Sequence, residues 1–132
     1  MSHNDEKAAI EATVQGYIDA IKFTRPDQMK ELFHPDAILS RHRPDGFLIS
    51  TNPGDSIGAY MRSAPPIAQT SPNFSGEIVS VDQAGDMAAA KIVERNLEGK
   101  NFDTFFLLHK VDGRWVITSK ATRGVPVAEN GS

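Results

Sequence analysis

Cysteine is absent from the 132 residues. That excludes disulfides, thiolate-held metals, iron–sulfur clusters and cysteine nucleophiles together. Positive charge is also short. Lys and Arg total 14 against 17 for Asp and Glu, a formal charge of -3. Nucleic-acid modules are normally basic, so no nucleic-acid partner is expected. No apolar run approaches the roughly 18 residues of a membrane helix, so no membrane partner is expected either. The segment Met1–Lys7 lacks the basic, apolar and cleavage regions of a signal peptide, and a cytoplasmic location follows as the expectation. The four histidines show no metal-ligand spacing among themselves, so neither a metal nor another cofactor is expected. The glycines are scattered and form no phosphate loop.

What is present is an ordinary globular composition, 39% hydrophobic and 23% charged. A chain of this length makes one domain, with a radius of gyration of roughly 14 Å. It has room for one good core or one enclosed pocket. Ile10, Val14, Tyr17, Ile18 and Ile21 form a helical stripe, which Asn4 or Asp5 can cap. Thr24-Arg25-Pro26-Asp27 resembles a second helix start, with a capping oxygen and an acid three residues on. His34-Pro35 ends that short helix, because the residue before proline avoids the helical region. Ala37–Ser40 begins a strand. Arg43-Pro44-Asp45-Gly46 turns it into a second strand, Phe47–Thr51, and Ile57, Tyr60 and Met61 suggest a third helix.

The second half reads as an antiparallel meander with strands at Phe74–Asp82, Met87–Leu97, Asn101–Val111 and Arg114–Thr122. Asp112-Gly113 is a strong hairpin signal. Helices first and paired strands later mean an α+β fold. Long strands can curl around the helices, and the concave face of such a sheet is a natural pocket. The expected domain covers residues 1–122, with residues 123–132 as a loose tail. The last two strands are apolar on both faces, which motivates a homodimer.

Val14-Gln15-Gly16-Tyr17-Ile18, Leu32-Phe33-His34-Pro35-Asp36-Ala37 and Phe105 through Ile117, with Lys110-Val111-Asp112-Gly113-Arg114-Trp115, appear in a familiar order. Over residues 6–122 the chain resembles the nuclear transport factor 2-like superfamily, which includes ketosteroid isomerase and SnoaL-type cyclases. The match is nearest to the branch named "putative lumazine-binding". The resemblance implies a cone-shaped α+β barrel, with N-terminal helices packed on a curved, mostly antiparallel sheet. It also implies a deep apolar central cavity and a dimer formed through the sheet.

Ketosteroid isomerase-like sites use a helix tyrosine, a neutral strand aspartic acid and an aspartate base. By resemblance Tyr17 stands at the tyrosine and Asp103 near the strand acid. The base is missing, since its places read Ser40 and Arg41, followed by His42. On a strand, Arg41 and Arg43 share one face and His42 takes the other. An inward His42 would act as a base, whereas an inward Arg41 would clamp an acidic or carbonyl group.

The candidate catalytic set is therefore Tyr17, Asp103 and His42. The candidate ligand contacts are Tyr17, Phe33, Arg41, Tyr60, Asp103 and Trp115. Glu94 and Arg95 lie on opposite faces of one strand, so one of them faces the cavity or a dimer partner. Lys120 reaches the pocket mouth only if the last strand bulges. The leading functional reading is a small-molecule-binding protein for a lumazine-like, heteroaromatic or polycyclic ligand. An isomerase, dehydratase or cyclase, and a dimeric scaffold, are the alternatives.

Overall fold

The computed structural model describes residues 3–127. Helix α1 (His3–Lys22) buries Ile10, Val14, Tyr17, Ile18 and Ile21, the stripe its sequence spacing implies. Its span begins at His3, which places Asn4 and Asp5 in its first turn. Helix α2 (Pro26–Leu32) starts with proline at its first position, where the missing N–H costs nothing. Arg25 is its N-cap residue and makes no side-chain cap bond. The Thr24 hydroxyl, expected to cap this helix, instead accepts a hydrogen bond from the Ile67 N–H at 3.1 Å.

Strand β1 (Phe33–Arg43) begins four residues before the expected Ala37. It runs through Pro35, where its pairing register shifts. Strand β2 (Gly46–Thr51) pairs back on it. Asn52 then takes a left-handed conformation and caps α3 (Pro53–Ser63) by accepting the Asp55 N–H. The one-turn α4 (Ile67–Thr70) had no counterpart in the sequence reading. Strands β3 (Ser75–Ala84), β4 (Met87–Leu97), β5 (Lys100–Val111) and β6 (Arg114–Pro126) complete the chain.

The sheet order is β2-β1-β6-β5-β4-β3, with only β1 and β6 parallel. It curves but does not close, and β2 and β3 remain its edges. The hairpin joining β5 to β6 turns on Asp112 and Gly113, both at positive φ, as a two-residue turn matched to strand twist requires. Residues 123–126 belong to β6 rather than to a tail. Their partners are Lys100–Asp103 of β5, so the expected boundary at residue 122 is corrected. Residues 128–132 lie outside the described residues.

Alternation assigns each strand's two faces. Ala88, Ala90, Ile92 and Glu94 of β4 point toward the helices, as do Thr104, Phe106 and Leu108 of β5. Strand β6 breaks the rule once. Leu107 pairs with Ser119 but Leu108 pairs with Ile117, leaving Thr118 as an extra residue. Such a bulge reverses the side-chain parity that follows it. Trp115 and Ile117 therefore face the helices, and so do Lys120 and Thr122. At the other end of the core, Glu6 ties α1 to the sheet. It accepts from Lys110 Nζ at 2.6 Å and from the Trp115 indole at 2.7 Å.

Helix and sheet meet closely at Gly76 of β3. A Cβ placed there would lie 2.8 Å from Ile18 Cγ2, a branch with little freedom to move inside the core. Gly76→Val should therefore destabilise the fold by about 1–3 kcal/mol through overpacking. Urea unfolding measures this, and an unchanged midpoint would contradict the close α1–β3 contact.

Candidate functional site

Between the helices and the concave side of the sheet lies a cavity of about 500 Å³. Its apolar wall includes Ile21, Leu39, Ile57, Met61, Ile67, Leu97 and Phe102. Three polar side chains share its buried part. Tyr17 from α1 and Glu94 from β4 are each 2% exposed, and Lys120 from β6 is 8% exposed. Tyr60, Glu98, Lys100 and Arg41 are solvent-exposed lining residues and form the rim.

Lys120 Nζ donates to the Tyr17 hydroxyl at 2.6 Å. The Tyr17 ring is held by edge contacts with Phe33 and Phe106, at centroid distances of 6.1 and 4.9 Å. Two aromatic edges fix the ring more tightly than one, so its hydroxyl has a defined position. Glu94 Oε2 is buried and has no hydrogen-bond partner. At the rim, the Tyr60 hydroxyl donates to Glu98 at 2.6 Å.

Burial governs the ionisation of all three deep groups. It pushes the Glu94 carboxyl up to about 7, a rise that the nearby Lys120 charge partly opposes. It pulls the Lys120 amine down to about 8, where Glu94 opposes the shift and Arg41 adds to it. It drives the Tyr17 phenol well above its ordinary range, and the Glu94 charge adds to this. Near neutral pH the site therefore holds a neutral phenol beside two groups poised between their charged and neutral forms.

Only part of the expected set converges here. Tyr17 lines the cavity, as do Arg41 and Tyr60 at its rim. Arg41 shares the inward face of β1 with Leu39, and His42 takes the other face, where its ring meets Phe47 at 5.0 Å. Asp103 also points away from the cavity, because Phe102 and Thr104 on either side of it face inward. His42 and Asp103 instead line a shallow groove on the outer face with Phe47, Lys91 and Phe105. The expected triad of Tyr17, Asp103 and His42 is thus not assembled.

Phe33 supports the Tyr17 ring from the core, and Trp115 is buried with its indole committed to Glu6. Neither is among the cavity-lining residues. Glu94 and Lys120 replace Asp103 and His42 as the polar partners of Tyr17. The Glu94 alternation was visible in the sequence, whereas Lys120 depended on the bulge. Among the described residues no cluster of three or more His, Asp or Glu side chains is placed to hold a metal.

These ionisations predict a stability minimum. Between about pH 4.5 and 7 the folded state holds a Glu94 proton that the unfolded chain has lost, so stability falls as pH rises. Between about pH 8 and 10.5 the unfolded chain holds a Lys120 proton that the folded state has lost, so stability rises with pH. Each limb has a limiting slope of about 1.4 kcal/mol per pH unit. Urea midpoints across this range should show a dip near pH 7–8. Glu94→Gln should flatten the acidic limb and Lys120→Met the basic one.

No curated protein matches this sequence. Several solved structures share its fold. An NTF2-like protein of unknown function from Shewanella baltica OS155 superposes with a TM-score of 0.82 at 24% identity, covering 96% of this chain and 98% of that one. A second, from Silicibacter pomeroyi DSS-3, gives 0.80 at 24% identity, with 95% and 100% covered. A ketosteroid isomerase-like protein from Erwinia carotovora atroseptica SCRI1043 gives 0.68 at 22% identity, with 92% and 98% covered. At such identities the likeness shows the fold alone. The family model described as "Putative lumazine-binding" matches residues 5–122, nearly the whole folded chain. The α+β sheet, its helix-covered concave face and this match agree, and the chain belongs to that family within the NTF2-like fold group.

Proposed function

We propose that the cavity binds a small, flat, largely apolar organic molecule of the heteroaromatic class, lumazine-like in its mixture of ring surface and polar edge. One observation carries this reading. The space between helices and sheet is open at about 500 Å³, and its buried wall keeps an unpartnered acceptor, Glu94 Oε2, beside the Tyr17–Lys120 pair. A protein that needed only a core would gain by filling that volume with side chains. Burying a carboxyl without a partner is unfavourable, and a ligand N–H would relieve that cost. The ring faces of the ligand would rest on Phe102, Ile57 and Leu39. Its carbonyl edge would accept from Lys120, and Arg41 at the rim would meet an acidic substituent.

Thermal melting with lumazine and riboflavin as probes tests the reading. A saturating ligand should raise the Tm, as mass action requires of anything bound only by the folded state. Lys120→Met should weaken the binding by about tenfold or more, the loss of one charge-assisted hydrogen bond. No shift with either probe, and no small molecule released from the denatured purified protein, would overturn it.

The outer face of the sheet supports a second proposal, pairing with another copy of the chain. Phe105 and Leu107 stand 57% and 53% exposed on β5, and Phe47 is also exposed on the opposite flank of the groove. Large apolar side chains in such an array are typical of association surfaces. Sedimentation at micromolar concentration should show a dimer that the double change Phe105→Glu and Leu107→Lys converts to monomer. A wild-type monomer would rule the pairing out.

A further inference from the structure

We propose that Lys120 is an amine nucleophile that forms an imine with an aldehyde or ketone entering the cavity. This goes beyond reversible binding, and it rests on the placement of one side chain. The other lysines of the described chain are exposed or half-buried, whereas Lys120 is buried and lies on a cavity wall. Its hydrogen-bond partner is a phenol, not a carboxylate. An ion-paired lysine is locked as ammonium, while one held by a neutral hydroxyl in an apolar site can release its proton.

The titratable groups that line the cavity with the amine come from several elements: Tyr17 from α1, Glu94 from β4, Arg41 from β1, Glu98 from the β4–β5 turn and Lys100 from the start of β5. Burial and Arg41 favour the neutral amine, and Glu94 works against them. With the amine at about 8, its neutral fraction at pH 7 is on the order of a hundredfold larger than that of an exposed lysine.

The step balances without a cofactor. The lone pair of neutral Lys120 Nζ attacks the carbonyl carbon, a C–N bond forms, and the carbonyl π pair moves onto oxygen. That oxygen takes a proton from the Tyr17 hydroxyl, and the nitrogen returns one to the phenolate, giving a carbinolamine. Glu94, in its protonated form, then donates to the carbinolamine hydroxyl. The C–O bond breaks, water leaves, and the nitrogen lone pair closes the C=N bond. The resulting iminium faces the Glu94 carboxylate, which regains its proton when the imine is deprotonated. Amine plus carbonyl gives imine plus water, and nothing is oxidised or reduced. Tyr17 is placed for the first transfer by its 2.6 Å contact with Nζ.

Reductive trapping tests this on the full chain. Benzaldehyde with sodium cyanoborohydride at pH 7, followed by peptide mass spectrometry, should label Lys120 roughly tenfold faster than any other lysine. The Lys120 rate should pass through a maximum near pH 7–8, where neutral amine and protonated Glu94 coexist, while exposed lysines continue to speed up as pH rises. Tyr17→Phe should slow Lys120 labelling and leave the other lysines unchanged, and Lys120→Arg should abolish that adduct. Labelling spread evenly over the lysines, or an unmodified Lys120 in the folded protein, would overturn the proposal. Both readouts come from the wild-type chain, so a poorly folding variant does not weaken the test. A thermal shift with lumazine but no Lys120 adduct would retain ligand binding and reject the imine, and the reverse pair of results would do the opposite.

Discussion

The bulge at Thr118 is the constraint on which the site depends. Before it, β6 sends Trp115 and Ile117 against the helices and completes the core. After it, the same strand sends Lys120 and Thr122 inward. A strand with uninterrupted alternation could serve only one of these ends. With Ile117 inward it would also turn Ser119 inward and leave Lys120 in solvent. One extra residue therefore lets a single strand build a hydrophobic core at one end and a polar cavity wall at the other.

The consequences reach the other elements through Tyr17. Its ring belongs to the core, braced by Phe33 and Phe106, while its hydroxyl belongs to the cavity. It couples the packing of α1 to the position of the lysine. The Glu6 anchor works on the same helix at its other end, where Lys110 and Trp115 hold the first turn against β5 and β6. Helix α1 is thus fixed at two points, and the polar group it lends to the cavity sits on a rigid element. Sites on such elements hold their geometry better than sites on loops.

Much of the fold was legible in the sequence. The α1 stripe, the β2 turn and the Asp112-Gly113 hairpin each follow from a local rule, namely helical spacing, turn chemistry or positive φ. The end of β6 was misread because Arg123, Gly124 and Pro126 have the composition of a loop. Their pairing with Lys100–Asp103 is a nonlocal contact that composition does not report. The Thr24 capping expectation failed for a similar reason, since its hydroxyl serves Ile67, a residue 43 positions away.

The site was legible only in outline. The sequence by itself determined a cysteine-free, mildly acidic chain of the α+β class, with Tyr17 on the buried stripe of its first helix. It also determined the strand alternation that places His42 and Arg41 on opposite faces. The tertiary structure decided which face is inward. It turned Arg41, Glu94 and Lys120 toward the cavity, and Asp103 and His42 away from it. The physical reason is the period of two along a strand. A single unpaired residue inverts everything after it, and whether a residue is unpaired depends on the neighbouring strand rather than on the segment itself.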